Sequence, residues 1–217
     1  MVNAMPTPIK VEDIISDVNM FLYRKGIPTG KLTNTEKINS IKEAQNILAS
    51  EGYAFDDKIY ISLKKNLASY ALPDNFISIV GHPIYNDSTI LRPKPSNSIT
   101  SSTIQYFEIS NARFADRTIT IYGTPTKNEN NAILIPCFRR AVPDITQLSD
   151  EVEFCNRYPE YSSAIRNYVL YDLFANNSNV ADEPVSRGYR VLFINVLRKL
   201  SALQLARFTP SSIYRGQ

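Results

Sequence analysis

Residues Tyr106 to Pro125 read YFEISNARFADRTITIYGTP, and the fold turns on how this stretch is read. Phe107 and Ile109 alternate with Tyr106, Glu108 and Ser110. After a link through Ala112 to Asp116, Ile119, Ile121 and Gly123 alternate with Thr118, Thr120 and Tyr122. A period of two in β-branched and aromatic residues, interrupted once, predicts two neighbouring strands of an antiparallel pair. Such a pair is marginal alone, so more strands or a helix must cover its apolar face.

Working outward, the flanks supply both. Ile59, Ile61 and Leu63 alternate with Tyr60, Ser62 and Lys64, which predicts an edge strand with its lysines outward. Pro73 sets a turn before a strand from Phe76 to Val80. Lys127 to Asn131 reads as a polar turn, and Ala132 to Phe138 (AILIPCF) as a further strand. Residues 86–103, rich in Ser, Thr, Asn and Pro, read as a long exposed loop with room for a short hairpin at Ile90 and Leu91.

The ends of the chain are helical. Ile14, Ile15, Val18, Phe21 and Leu22 share a stripe between acidic Glu12 and Asp13 and basic Arg24 and Lys25, with Gly26 just beyond. A cap at Thr33 or Asn34 precedes a second helix carrying Ile38, Ile41, Ala44, Gln45 and Leu48 up to Gly52. The stretch between Ile145 and Arg157 reads as an acidic link, and a third helix is expected from Pro159 to Phe174. After a link at Asn176 to Pro184, the last helix is expected from Gly188 to Phe208, with Leu192, Val196, Leu200 and Leu203 spaced at fours and threes. Phe193, Ile194 and Leu197 fall off that stripe, so this helix is apolar on more than one side. Helices, then strands, then helices argue α+β: an antiparallel bundle of N- and C-terminal helices (1–52 and 157–208), an inserted antiparallel β-sheet lobe (53–140) and a tail (209–217), as one domain.

Composition narrows the function classes. The chain is 43% hydrophobic and 21% charged over 217 residues, enough for a real core. A net charge of +3 is too small to argue nucleic-acid binding from bulk charge. The distribution is uneven: Pro184 to Gln217 holds six basic residues and no acidic one. No basic stretch leads into an apolar core at the start, so no leader is expected, and no apolar run is long enough to span a membrane. Cys137 and Cys155 make neither a disulfide framework nor a metal site, so reduced thiols are expected.

Chemistry is hard to find. The single histidine, His82, stands at a strand end with no Ser or Cys motif beside it. Seven scattered glycines exclude the phosphate-cradling loops. The acidic pairs Asp56-Asp57 and Asp150-Glu151 suit turns and caps, and Arg139-Arg140 reads as a strand end or as a contact for phosphate or carboxylate. The expectation is a protein without enzymatic activity and without a cofactor or metal.

Three phrases carry a family resemblance: Tyr70-Ala-Leu-Pro-Asp-Asn-Phe76, the strand pair Phe107-x-Ile109 to Ile119-x-Ile121-Tyr122-Gly123-Thr124-Pro125, and Pro159-Glu160-Tyr161 opening a helix. With the order of parts, they resemble the head-to-tail connector or adaptor proteins of tailed bacteriophages. The chain departs from that pattern at Ala112 to Asp116, where the family often has glycine between the strands. The resemblance implies a virion neck protein made in the bacterial cytoplasm, a homo-oligomer in a dodecameric ring that contacts the portal protein and tail proteins. DNA would pass through its channel without specific binding, and no membrane is involved. Arg187, Arg190, Arg198, Lys199, Arg207, Tyr214 and Arg215 are the expected contacts with portal or neighbouring subunit. Two alternatives stay open: another tail or neck subunit, such as a tail completion or baseplate part, and a small DNA-binding factor using the basic last helix.

Overall fold

The computed structural model describes residues 7–29, 32–95, 103–110, 117–178 and 180–208. The chain is mixed α+β and forms two compact units, Met1–Ala54 with Ala141–Gln204, and Phe55–Arg140 with Leu205–Gln217.

In the first unit, α1 (Val11–Arg24) buries Val11, Ile14, Ile15, Val18 and Leu22. Asp13 Oδ2 accepts the Lys10 N–H at 2.8 Å, closing the start of the helix. At its end Gly26 takes φ +71°. The Gly26 N–H then reaches the Tyr23 carbonyl, and the Ile27 N–H the Leu22 carbonyl. That pair of bonds satisfies carbonyls the helix leaves open, and a left-handed residue is needed to form it. Helix α2 (Asn34–Ser50) opens with a reciprocal cap. The Glu36 N–H donates to Thr33 Oγ1 at 3.2 Å, and the Thr33 N–H donates to Glu36 Oε2 at 2.8 Å. Ile41, Ala44 and Leu48 are fully buried, as expected from their spacing.

The acidic stretch expected as a link contains a short helix, α3 (Glu153–Arg157). Phe154 and Cys155 are fully buried there, and the Phe154 N–H donates to Gln45 Oε1 at 3.0 Å. Burial of an apolar pair between Glu153 and Asn156 outweighed the polar composition. The helix expected from Pro159 is a single 3-10 turn, Pro159–Tyr161, followed by α4 (Ser163–Asn176). Helix α4 packs against α2 and, to a lesser extent, α1.

Helix α5 (Glu183–Phe208) begins five residues before the expected Gly188. Asp182 is the reason: its Oδ1 accepts the Val185 N–H at 3.2 Å and its carbonyl the Ser186 N–H at 2.8 Å. Pro184 then sits in the first turn, where no N–H is required of it. The apolar residues of this helix divide between inside and outside. Ser186, Phe193, Leu197, Leu200 and Gln204 are buried, whereas Leu192 and Leu203 are 49% and 53% exposed.

In the second unit, β1 (Asp56–Leu63) pairs with β9 (Glu129–Arg139), and β9 pairs on its other edge with β3 (Phe76–Ile79) and β4 (Ile84–Tyr85). Strand β5 (Thr89–Ile90) closes this sheet against β4, and β1 is an edge as expected. The second sheet runs β2 (Ser69–Ala71), β8 (Thr118–Tyr122), β7 (Tyr106–Ile109), β6 (Arg92–Pro93). The opening stretch forms the antiparallel pair its pattern predicts, with Phe107 opposite Ile121 and Ile109 opposite Ile119. Its link at 111–116 lies outside the described residues. Phe107, Ile119 and Ile121 join Leu63, Leu91, Ile133 and Ile135 in one apolar cluster drawn from both sheets.

Two expectations about loops are corrected. The start of the 86–103 stretch is built into the sheets: Thr89–Ile90 pairs with β4, Leu91 is fully buried, and Arg92–Pro93 runs parallel to β7. Residues 96–102 lie outside the described residues. The polar turn at 127–131 is partly strand, because Glu129 pairs with Leu63 across a bulge. Strand β9 also holds a proline in a central position. The Pro136 carbonyl accepts the Val80 N–H at 2.8 Å, so the side lacking a donor faces the gap between β4 and β3, where no ladder bond is lost.

Candidate functional site

Helix α5 presents two faces of opposite character. The inner one is closed by packing within the first unit: Ser186 Oγ donates to the Tyr171 carbonyl, the Phe193 ring meets Tyr168 edge-on at 4.9 Å, and Gln204 Nε2 donates to the Tyr158 hydroxyl at 2.8 Å. The outer one leaves Val191 54%, Leu192 49% and Leu203 53% exposed, beside outward cations. Apolar side chains standing together on a helix otherwise sealed against its own unit mark a surface made for contact.

The expected contact residues separate into groups. Arg187 is engaged with Glu183, one turn back, at 2.6 Å. Both side chains are solvated, so this pair contributes little to stability. The Arg190 guanidinium lies 5.9 Å from the centre of the Tyr171 ring. Arg198 and Lys199 are exposed and have no ion pair among the described residues. These four share one helix. Arg207, in the last turn of the same helix, lies 4.0 Å from Asp56. Tyr214, Arg215 and the tail 209–217 lie outside the described residues.

Other candidates are absorbed by structure. Asp57 holds the Arg139 guanidinium at 2.7 Å, and Arg139 lies against the Phe55 ring. Asp150 accepts the Thr146 and Gln147 N–H groups, which hold its carboxyl below the usual aspartate range. Glu153 Oε2 accepts the Val142 N–H at 2.8 Å. Both thiols are buried and pushed up to about 12 by that burial, far from the reactive range. His82 Nδ1 is buried without a hydrogen-bond partner among the described residues. A cavity of about 360 Å³ in the first unit is lined by Asp13, Asp17, Cys155, Ser162, Ser163 and Arg166. Burial keeps that thiol protonated at neutral pH. No group of three or more His, Cys, Asp and Glu is placed to hold a metal among the described residues, and no described helix is long and apolar enough to cross a membrane.

Sequence spacing left open which leucines face outward. Leu192, Val196, Leu200 and Leu203 fit a helical stripe, but so do Phe193, Leu197, Leu200 and Gln204. The overlooked signal was Lys199 standing within a turn of Val196 and Leu203, a charge that favours water on that side. No protein-family model matches the chain, and no curated protein matches it.

Proposed function

We propose that this chain is a structural virion protein, a head-to-tail connector or adaptor that forms a ring beneath the portal and joins the capsid vertex to the tail. In this reading the helices of Met1–Ala54 and Ala141–Gln204 make the antiparallel bundle of each subunit, and the sheet unit is inserted between them in sequence. The role asks for shape and contact, not turnover. DNA passes along the ring axis, the portal and the tail proteins are the partners, and the protein resides in the virion neck.

The observation that carries the reading is the outer face of α5, where half-exposed Val191, Leu192 and Leu203 stand with Arg198 and Lys199. A subunit of a ring needs unlike patches that neighbours complete, and this is one such patch. The strand pair Tyr106–Ile109 with Thr118–Tyr122 adds the part of the family likeness that is most specific.

The test is docking on portal rings by the chain with Arg187, Arg190, Arg198 and Lys199 all changed to alanine. Docking should weaken by about tenfold or more, on the order of one desolvated charge contact. Unchanged docking overturns the reading. The same cations would also suit a DNA-binding factor, and a gel shift that falls steeply with added salt would favour that role instead.

A further inference from the structure

We propose that the outer face of α5 receives one helix of a different protein, apolar at both ends of its contact face and acidic between. This rests on reading the chain as a protein that works by contact, and it names the chemistry of the partner.

Small residues make the centre line of that face. Gly188, Asn195 and Ala202 follow one another at sevens, all exposed. At the helical repeat they keep within about 40° of one line along the axis. Glycine is, proline apart, the worst residue for the body of a helix. Nothing inside the chain asks for it at 188: the backbone there is not left-handed, and an added Cβ would meet no atom within 4 Å. The side chain is missing where only an outside body would collide with it. A seam of small residues at heptad spacing lets the backbone of a second helix come close.

The flanks of the seam state what that second helix carries. Half-exposed Val191 and Leu192 stand towards one end and half-exposed Leu203 at the other. Arg198 and Lys199 lie between them, exposed and without an ion pair among the described residues. From Leu192 to Leu203 is about 16 Å along the axis, and Lys199 stands about 10 Å from the first. A cover that strands none of these groups has apolar side chains at both ends and carboxylates between.

The helices of this chain do not supply it. A second α5 would bring Arg187, Arg190, Arg198 and Lys199 to their own kind, with no acidic residue after Glu183 to relieve them. On α1 the exposed apolar pair Met20 and Tyr23 stands beside exposed Arg24 and Lys25, and the carboxylates lie all to one side. Helices α2, α3 and α4 expose no large apolar side chain among the described residues. A DNA duplex would match the cations but leave Val191, Leu192 and Leu203 against phosphates, which cover nothing apolar.

The experiment is a titration of a labelled probe with the full chain, read by fluorescence anisotropy. The probe is a synthetic helical peptide with leucines at both ends of one face, about 16 Å apart, and glutamates between them on that face. One control has the same residues in scrambled order, and another has lysine for each glutamate. The glutamate probe should bind about tenfold or more tighter than either control. Leu192→Ser with Leu203→Ser should weaken it about tenfold, and Arg198→Glu with Lys199→Glu should do the same while letting the lysine probe bind. Gly188→Leu should weaken it about tenfold although it adds apolar surface, because it fills the seam. All these positions are exposed, so circular dichroism should show each variant folded. No binding of the glutamate probe, equal binding of the scrambled one, or binding unmoved or strengthened by Gly188→Leu overturns the inference. So does self-association of the chain that Leu192→Ser abolishes, which gives the face to a second copy, or displacement of the probe by an equal concentration of duplex DNA, which gives it to nucleic acid. Those outcomes leave the neck assignment standing if the chain is found at the neck of particles. Probe binding that obeys the substitutions, in a chain absent from particles, would support the helix partner and defeat the neck assignment.

Discussion

Gly123 lies so close to Thr103 that a Cβ built on it would stand 2.4 Å from the Thr103 carbonyl carbon and oxygen. Both neighbours are backbone, so neither can swing aside, and Gly123 itself holds φ +108°. Gly123→Ala should cost about 3 kcal/mol, combining strain and displacement. Gly26, also at positive φ but with open space around it, should cost only about 1 kcal/mol on the same change. Urea denaturation of both variants checks this, and equal losses would mean that the contact with Thr103 is not what selects glycine.

Thr33→Ala removes one half of the reciprocal cap of α2 and should cost about 1 kcal/mol. The cap also depends on acid. Bonds from the Thr33 backbone and then its side chain hold the Glu36 carboxyl below its ordinary value of 4.5. A carboxyl lowered on folding stabilises above its unfolded value and loses that effect as pH falls through the folded one. The gap between wild type and Thr33→Ala should therefore narrow as the pH drops below about 4. Denaturation midpoints through that range would show it, and a constant gap would speak against it.

Cys137 and Cys155 should stay unmodified by an aromatic disulfide reagent at about pH 8 and react only once the chain unfolds. Burial pushes both thiols from 9.0 up to about 12. Their folded values exceed the unfolded ones, so the associated stability is complete below pH 9 and lost as pH rises from 9 towards 12. Rapid labelling of either thiol in the native protein would contradict the packing around it.

Lys37 is only 1% exposed, with its ammonium donating to Asn19 Oδ1 at 2.8 Å and to the Leu32 carbonyl at 3.2 Å. Desolvation lowers it from its ordinary 10.5. Between the lowered value and 10.5 the unfolded chain holds a proton that the folded chain has shed, so stability rises with pH across that interval. Lys37→Met should flatten the rise while changing neutral-pH stability by about 1–2 kcal/mol, the effect of leaving two acceptors without a donor. Comparing the two chains at matched pH cancels the opposing contribution of the thiols. An unchanged slope would place the Lys37 ammonium in water.

The sequence was most legible where one face of an element is buried and the other wet. Phe107, Ile119 and Ile121 alternate because a sheet has two sides, and they are buried in the order their pattern predicts. The N-termini of α2 and α5 show the limits of the same approach. Thr33 with Glu36 is a cap written within four letters, whereas Asp182 was hidden in a stretch read as a link up to Pro184, which is the first turn of the helix. Burial against distant residues was illegible: nothing near Phe154 in sequence announces that Gln45 waits for its N–H. The outer face of α5 was half legible, since its cations were plain in the sequence while the spacing of its leucines fitted either side.

Pro136 makes strand β9 self-checking. Its donor-free side faces the gap beside Val80, and a slip of one residue along β1 would turn that side towards β1 and expose Ile133, Ile135 and Cys137 to water in the same movement. One imino acid thus penalises misthreading twice, on the ladder and in the core, and the central strand has a single frame in which both are whole.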